Sequence, residues 1–405
     1  MFQPPKGTRD LLPSEMRRLG YVISVVERVF RSYGYEPIDT PAFEDWELLS
    51  AKNAGGEELK KEIYFFEDKS RRQLGLRYDL TVPAARVVAT NSSIPKPFKR
   101  YAIGKAWRYD QPQAGRYREF WQADADIFGS DSITADAEIV AVAVQCLKEL
   151  GLSDFKVRLN DRRVIERKVR LIGIKNPLEV FRCIDKLEKL GEECVTRELK
   201  EKGIDTAKIE KIMKLVRSKP DEIGELENLV KELKSFGIEK EVVIDFGLVR
   251  GFDYYTGPIF EISAGGLSIA GGGRYDRLVE LYGGKPTPAV GISLGLSRII
   301  DEMEKKKLFE VEDYPAKVFV CAVNDNVRAE VLNIVQLLRK NRIAADFDLI
   351  GRNLRKQLDY INAKKIPYAV VMGPEEVKTK KLVLRDMESG QEKKLELDKL
   401  IKELQ

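Results

Sequence analysis

The chain has 405 residues, 43% of them apolar and 33% charged, and its 70 basic and 65 acidic residues leave a net charge of +5. That length predicts two or three domains rather than one core, and so mild a charge does not declare a nucleic-acid surface. Histidine is absent, which excludes a Ser-His-Asp arrangement, the commonest general base and most transition-metal sites. Cys146, Cys183, Cys194 and Cys321 are too scattered for a zinc site or disulfide framework. The first residues lack an apolar run and no stretch reaches membrane-spanning length, so a soluble, reducing, cytoplasmic setting without a membrane is expected.

Residues 1–13 read as an extended lead-in. Ser14 is placed to cap a helix running to about Tyr33, with Leu19, Val22, Ile23, Val26 and Phe30 at helical spacing and Gly34 closing it. The following YEPIDTPAFED reads as one strand, and Pro37 and Pro41 put it at an edge or interface. Residues 62–70 and 73–79 form a hairpin that leads into a helix over 81–90. Asp79 and Thr81 stand where strand gives way to helix. Either they cap the helix, or they hold a substrate ammonium.

From Phe98 to Gly129 the sequence predicts two strands joined by Gln-Pro-Gln-Ala-Gly. Alternation on the second strand puts Tyr117, Glu119, Trp121, Ala123, Ala125 and Ile127 on one face and Arg118, Phe120, Gln122, Asp124 and Asp126 on the other. The first face belongs on a core. The second lines a polar pocket or is the wet side of a hairpin. An amphipathic helix then runs to Gly151, and FKVRLND is a strand. Residues 162–240 are rich in Lys, Glu, Leu and Ile and read as an inserted module of about four helices. After a strand at 242–245, LVRGFDYYTGPIFEISA reads as a hairpin turning at Thr256-Gly257-Pro258. Two glycine-rich stretches follow, SIAGGGRYDRLVELYGG and PAVGISLGLSRI, without the spacing of a dinucleotide fingerprint. From Lys317 onward, alternating strands and helices form a compact α/β domain with a mixed sheet.

Several of these stretches carry a resemblance. WRYDQPQAGRYREFWQ is similar to motif 2 of class II aminoacyl-tRNA synthetases in the form found in histidyl-tRNA synthetases. RYDLT at 77–81 resembles the archaeal and eukaryotic branch of that family. RGFDYY at 250–255 is close to its RG-L-DYY signature, departing only at Phe252. The helix and strand up to Pro41 resemble motif 1, the dimer element, and PAVGISLGLSRI resembles motif 3. The resemblance spans nearly the whole chain. It implies an α+β fold: an antiparallel-sheet catalytic domain in two parts, residues 1–161 and 241–312, around a helical insertion at 162–240, followed by an α/β anticodon-binding domain at 316–405.

The implied reaction is a histidine-tRNA ligase reaction with ATP and Mg2+, on tRNA-His, in a homodimer formed through motif 1. Residue by residue, Arg108 and Arg250 match the catalytic arginines. Arg108, Asp110, Arg116, Phe120 and Arg298 match the ATP-binding positions. Asp79, Leu80, Thr81, Gln122, Asp126, Tyr254, Tyr255 and Tyr275 match the histidine pocket, with Asp126 and Tyr255 reading the ring. Gln111 and Gln113 are candidates for touching the acceptor end of the tRNA, and Arg352, Arg355 and Lys356 for meeting phosphate. A carboxylate substrate is already ionised, so the chemistry needs orientation and charge neutralisation, not a histidine base. Two rivals share the fold: a regulatory subunit of histidine biosynthesis, which usually lacks the C-terminal domain, and a sensor-kinase-type module, which needs a fused partner domain.

Overall fold

The β-forming stretches meet because each offers one apolar face, and the sheet they build is the floor on which everything else is placed. The protein is seen in a computed structural model that describes residues 2–51, 61–111, 117–217, 223–249, 254–309 and 314–405. The chain divides into two compact units, Met1–Phe309 and Glu310–Gln405. Among the described residues, no helix is long and apolar enough to cross a membrane.

In the first unit the opening helix spans Pro13–Ser32. It starts one residue before the expected Ser14 cap, because Pro13 suits the first helical position and Glu15 reaches back to the Leu12 N–H at 2.9 Å. The stretch read as a single strand is divided between two sheets. Glu36–Pro37 (β1) lies parallel to Phe98–Trp107 (β5), while Phe43–Asp45 (β2) joins a small sheet with Phe65–Glu67 (β3) and Gln73–Leu76 (β4). The reason sits between them: the Thr40 carbonyl accepts from the Arg77 guanidinium at 2.5 Å, and Pro41 has no N–H to continue a ladder.

β5 pairs with Glu119–Phe128 (β6) residue for residue from Phe98↔Phe128 to Trp107↔Glu119. The main sheet continues through Lys156–Asp161 (β7), Val242–Ile244 (β8), Pro258–Ala264 (β9), Leu267–Arg274 (β10) and Ala289–Gly295 (β11), in the order β1-β5-β6-β11-β10-β9-β7-β8. One face is covered by the helices Pro13–Ser32, Ile133–Glu149, Leu226–Ser235 and Leu296–Lys305, which share a core with Ala123, Ala125 and Ile127. The apolar face of β6 is therefore inside, as alternation required.

One expectation is corrected. The β9–β10 hairpin turns at Gly265-Gly266, not at 256–258. Both glycines have positive φ, +55° and +78°, a conformation glycine adopts at little cost, whereas Pro258 already pairs with Asp161 on β7. The segment between β7 and β8, expected to hold about four helices, has as its described helices Arg162–Leu171, Pro177–Ile184, Leu187–Glu201, which is kinked at Gly191, Thr206–Arg217 and Leu226–Ser235. Val164, Phe181, Val195 and Ile212 close a core of their own. Leu226, Leu229 and Leu233 of the last helix instead pack into the main core.

The second unit is a five-stranded sheet in the order β13-β12-β14-β15-β16, built from Val318–Ala322 (β12), Ala345–Phe347 (β13), Tyr368–Met372 (β14), Leu382–Asp386 (β15) and Glu392–Leu395 (β16). β12 runs parallel to both neighbours and the last two strands are antiparallel. Alternation along β12 sends Val318 and Val320 to one core and Phe319 and Cys321 to another. A short helix, Pro374–Thr379, was not foreseen. Its signal was local: Pro374 at the first position, and Glu376 accepting the Gly373 N–H at 2.9 Å.

Candidate active site

The uncovered face of the main sheet is built in rows. Strand register sets Arg100 of β5 opposite Asp126 of β6, then Gly291 of β11, Gly273 of β10 and Ile259 of β9. The next row reads Ala102, Asp124, Ser293, Gly271, Glu261 and Arg158. The third begins Gly104, Gln122, Gly295. Carboxylates and an amide rise from β6, while glycine and serine on β11 leave room beside them. A Cβ on Gly291 would collide with the Asp126 carboxylate and come within 2.8 Å of the Tyr275 hydroxyl. The polar face of β6 is thus a candidate pocket wall rather than a wet surface: Gln122, Asp124 and Asp126 are buried.

The polar atoms of this pocket are only half satisfied. Oδ1 of Asp79 accepts the N–H groups of Thr81 and Val82 at 3.1 and 2.9 Å, so Asp79 does cap the helix Thr81–Thr90. Its Oδ2 is buried with no hydrogen-bond partner among the described residues. Gln122 donates Nε2 to Ser293 Oγ at 2.7 Å, leaving Oε1 unmatched. Asp124 accepts from Thr81 Oγ1 at 3.4 Å with Oδ2 and keeps Oδ1 unmatched. Buried acceptors are costly to leave open. Three such acceptors suit a group with several donors and a positive charge, as an ammonium has.

Burial pushes Asp124 up to about 7 and Asp126 up to about 6, and raises Asp79, against the opposing pull of Arg100. A carboxyl whose folded value is raised helps the fold while it is protonated. That contribution is complete below the unfolded value near ~4 and is lost as pH climbs through the folded one. Asp124→Asn is therefore expected to be more stable than the parent at pH 8, by on the order of 1 kcal/mol. The gain should shrink steadily toward pH 5. Thermal unfolding followed from pH 5 to 8 measures this, and a pH-independent difference between the two proteins would contradict it.

An aromatic wall closes the Asp126 end. Tyr275 donates its hydroxyl to Asp126 Oδ1. The Tyr254 ring lies 5.7 Å from Tyr275 and 4.9 Å from Tyr255. Burial holds the Tyr254 and Tyr275 hydroxyls well above their usual range, so both are neutral donors. The resemblance gave Asp126 and Tyr255 to the two nitrogens of a substrate ring; in the structure Asp126 accepts from Tyr275, a bond the sequence did not suggest, and the Tyr255 ring stands beside Tyr254. Leu80, expected here, is buried and offers its carbonyl to Arg100 at 3.0 Å.

At the other end Arg108 donates Nε to the Tyr78 carbonyl at 3.0 Å and lies 5.4 Å from the centre of the Phe120 ring. Its charge reaches Asp79, which ties this end to the carboxylates. Asp110 accepts from Arg118 through its carbonyl at 3.2 Å. Arg298 donates to the Ser268 carbonyl at 2.6 Å. Gln111 is exposed, while Arg116, Gln113 and Arg250 fall outside the described residues.

Sequence reasoning gave no role to three further groups. Arg100 is fully buried and paired with Asp126. Asp124 was placed on the pocket face but assigned nothing. Arg274, just before Tyr275, is buried against Asp136 at 2.9 Å and also holds the Ser130 carbonyl. Strand parity marks the first two; nothing in the sequence pairs Arg274 with Asp136, which lies 138 residues away.

Residues 7–299 match the family described as histidyl-tRNA synthetase, and residues 317–405 match an anticodon binding domain. A histidine–tRNA ligase of Thermococcus kodakarensis is 39% identical, over 98% of this chain and 97% of its own length. One from Aeropyrum pernix is 40% identical, over 99% of this chain and 97% of its own. Among solved structures, a histidyl-tRNA synthetase from Nostoc sp. PCC 7120 is similar with a TM-score of 0.84 and 30% identity, covering 100% of this chain and 99% of that one. A protein from Bacillus halodurans described as an ATP phosphoribosyltransferase regulatory subunit/histidyl-tRNA synthetase shares the fold, with a TM-score of 0.74 at 23% identity, over 89% of this chain and 96% of its own.

Proposed function

We infer the activity from descent: the chain belongs to the histidyl-tRNA synthetase family, and it is a histidine–tRNA ligase that activates L-histidine with ATP and transfers the histidyl group to tRNA-His. The observation that carries this is identity of 39% with a histidine–tRNA ligase along 98% of the chain, a span that includes the C-terminal unit. A regulatory subunit is not favoured by relatives that are ligases from end to end.

In this reading the substrate ammonium sits among Asp79, Thr81, Gln122 and Asp124, and the imidazole lies against Tyr254 and Tyr275 with one N–H on Asp126. That fixes the α-carboxylate toward Arg108. The carboxylate oxygen forms a bond to the α-phosphorus of ATP as the bond to the β-phosphate oxygen breaks, and pyrophosphate leaves. Arg108 and Arg250 steady the charge on the α-phosphate, and Phe120 stacks on adenine. Arg116 and Arg298 meet the outer phosphates, with Asp110 beside them. A terminal hydroxyl of tRNA-His then attacks the activated carbonyl and AMP departs. No step asks for a histidine side chain.

Among the described residues no cluster of three acidic, cysteine or histidine side chains is built to hold a metal. Mg2+ is proposed to arrive with the triphosphate, whose oxygens suit it. Residues 1–161 and 241–312 form the catalytic domain, 162–240 the insertion and 316–405 the anticodon-binding domain. A cytoplasmic homodimer is part of the same proposal.

Charging of a tRNA-His transcript with radiolabelled histidine tests the function directly. Formation of histidyl-tRNA is expected. Histidine activation without charging, or neither, would favour the regulatory reading. Gly291→Ala sharpens the site assignment. Because any Cβ there displaces Asp126 and Tyr275, the variant is expected to raise the KM for histidine more than about tenfold. The KM for ATP should hold. Equal changes in both would contradict the placement.

A further inference from the structure

Among the described residues Arg100 is the largest side chain that the fold buries completely. It stands on β5 directly across from Asp126, and its ion pair with that carboxylate is sealed from solvent on both sides, at 0% and 1% exposure. The same terminal nitrogen donates to the Leu80 carbonyl at 3.0 Å. Leu80 lies between Asp79 and Thr81, in a segment that reaches the pocket from a different part of the chain. One guanidinium therefore joins the strand that carries Gln122, Asp124 and Asp126 to the segment that carries Asp79 and Thr81.

Its charge matters as much as its reach. Three buried carboxylates face one another here, and each raises the others' cost of ionisation. Asp126 also faces the Tyr275 hydroxyl, Asp124 faces Ser293, Asp79 faces Arg108, and Tyr35 looks on Asp126 from beyond the opening helix. Among these groups Arg108 acts on Asp79, whereas Arg100 acts on all three carboxylates.

We propose that Arg100 is a positioning residue for the amino acid: it sets the spacing between the ammonium-reading segment and the ring-reading strand, and it sets a positive charge beside the carboxylates of both. This deepens the ligase reading and rests on it. Arg100 touches no reacting atom. Its effect reaches histidine through Asp126 and the backbone of Leu80, and it leaves ATP alone.

The test is histidine-dependent ATP–pyrophosphate exchange by the full chain, as parent, Arg100→Met and Arg100→Lys, from pH 5.5 to 8.5. Arg100→Met should raise the KM for histidine by about tenfold or more, the worth of a lost buried charge contact. It should leave the KM for ATP within about twofold, because the guanidinium lies on the amino-acid side. The acid limb of kcat/KM for histidine should move up by about one pH unit, because carboxylates without a cation hold their protons longer. Arg100→Lys should return the acid limb to its parental position while the KM for histidine stays raised, since an ammonium supplies the charge but not the guanidinium's reach. A methionine variant with the parental KM and acid limb overturns the proposal. So does one that loses histidine and ATP binding equally, or a lysine variant whose acid limb moves as far as methionine's. If Arg100→Met does not fold, the lysine variant alone decides, by whether KM rises while the limb stays. A parent with no histidine-dependent exchange would sink the ligase reading instead.

Discussion

Arg108→Ala is expected to slow histidine-dependent ATP–pyrophosphate exchange by about 10²–10³-fold, the usual cost of deleting one preorganised donor to a developing charge. The guanidinium is held at the end of β5 by the Tyr78 carbonyl and braced near Phe120, so it is oriented before substrate arrives. The loss should fall on kcat. Histidine affinity should change only a few-fold, because Arg108 bears on the proposed ammonium site through Asp79. Lysine should rescue poorly, being a point charge without the planar fork. Exchange within about tenfold of the parent would remove Arg108 from the phosphate.

Asp126→Ala should act in two places at once. The ring-reading acceptor disappears, and the KM for histidine should rise by about 10²-fold, because a pocket built to pair an N–H discriminates through that pairing. Arg100 is also left buried without its partner, which costs about 3–5 kcal/mol of stability. The two effects separate in a double variant. Arg100→Met with Asp126→Ala should recover much of the lost stability, since removing both ends of a buried pair is milder than removing one. It should recover none of the affinity. Unchanged histidine binding in Asp126→Ala would mean that the ring is read elsewhere. A double variant no more stable than the single one would mean that the pair is not what holds this corner.

The long hairpin was legible because ten-residue strands alternate cleanly, and the register from Phe98↔Phe128 to Trp107↔Glu119 leaves no slip. Its polar face marked the residues that are found buried there. The helix Ile133–Glu149 was equally plain, with Ser132 capping it. Other features depended on partners far away in the chain. The division of residues 36–45 between two sheets follows from Arg77, which takes the Thr40 carbonyl. The true β9–β10 turn was hidden because Thr-Gly-Pro and Gly-Gly both read as turns, and only the pairing of Pro258 with Asp161 decides between them. The helix Leu226–Ser235 showed an apolar stripe, which says that it packs but not against what. Arg100 looked like one cation of Lys99-Arg100 on a strand; its role exists only because Asp126 stands opposite.

In the proposed reading these residues divide the labour simply: carboxylates receive an ammonium, phenols and one carboxylate frame a ring, and guanidiniums meet phosphate. In that reading a side chain without an N–H in the right place forgoes its bond to Asp126, which is the source of the discrimination.

The most direct measurement is ATP–pyrophosphate exchange by the intact chain, with each of the twenty amino acids supplied alone. Exchange with histidine and with no other is the predicted result. Exchange driven equally well by a side chain lacking a ring N–H, or none with histidine, would contradict the assignment of this pocket.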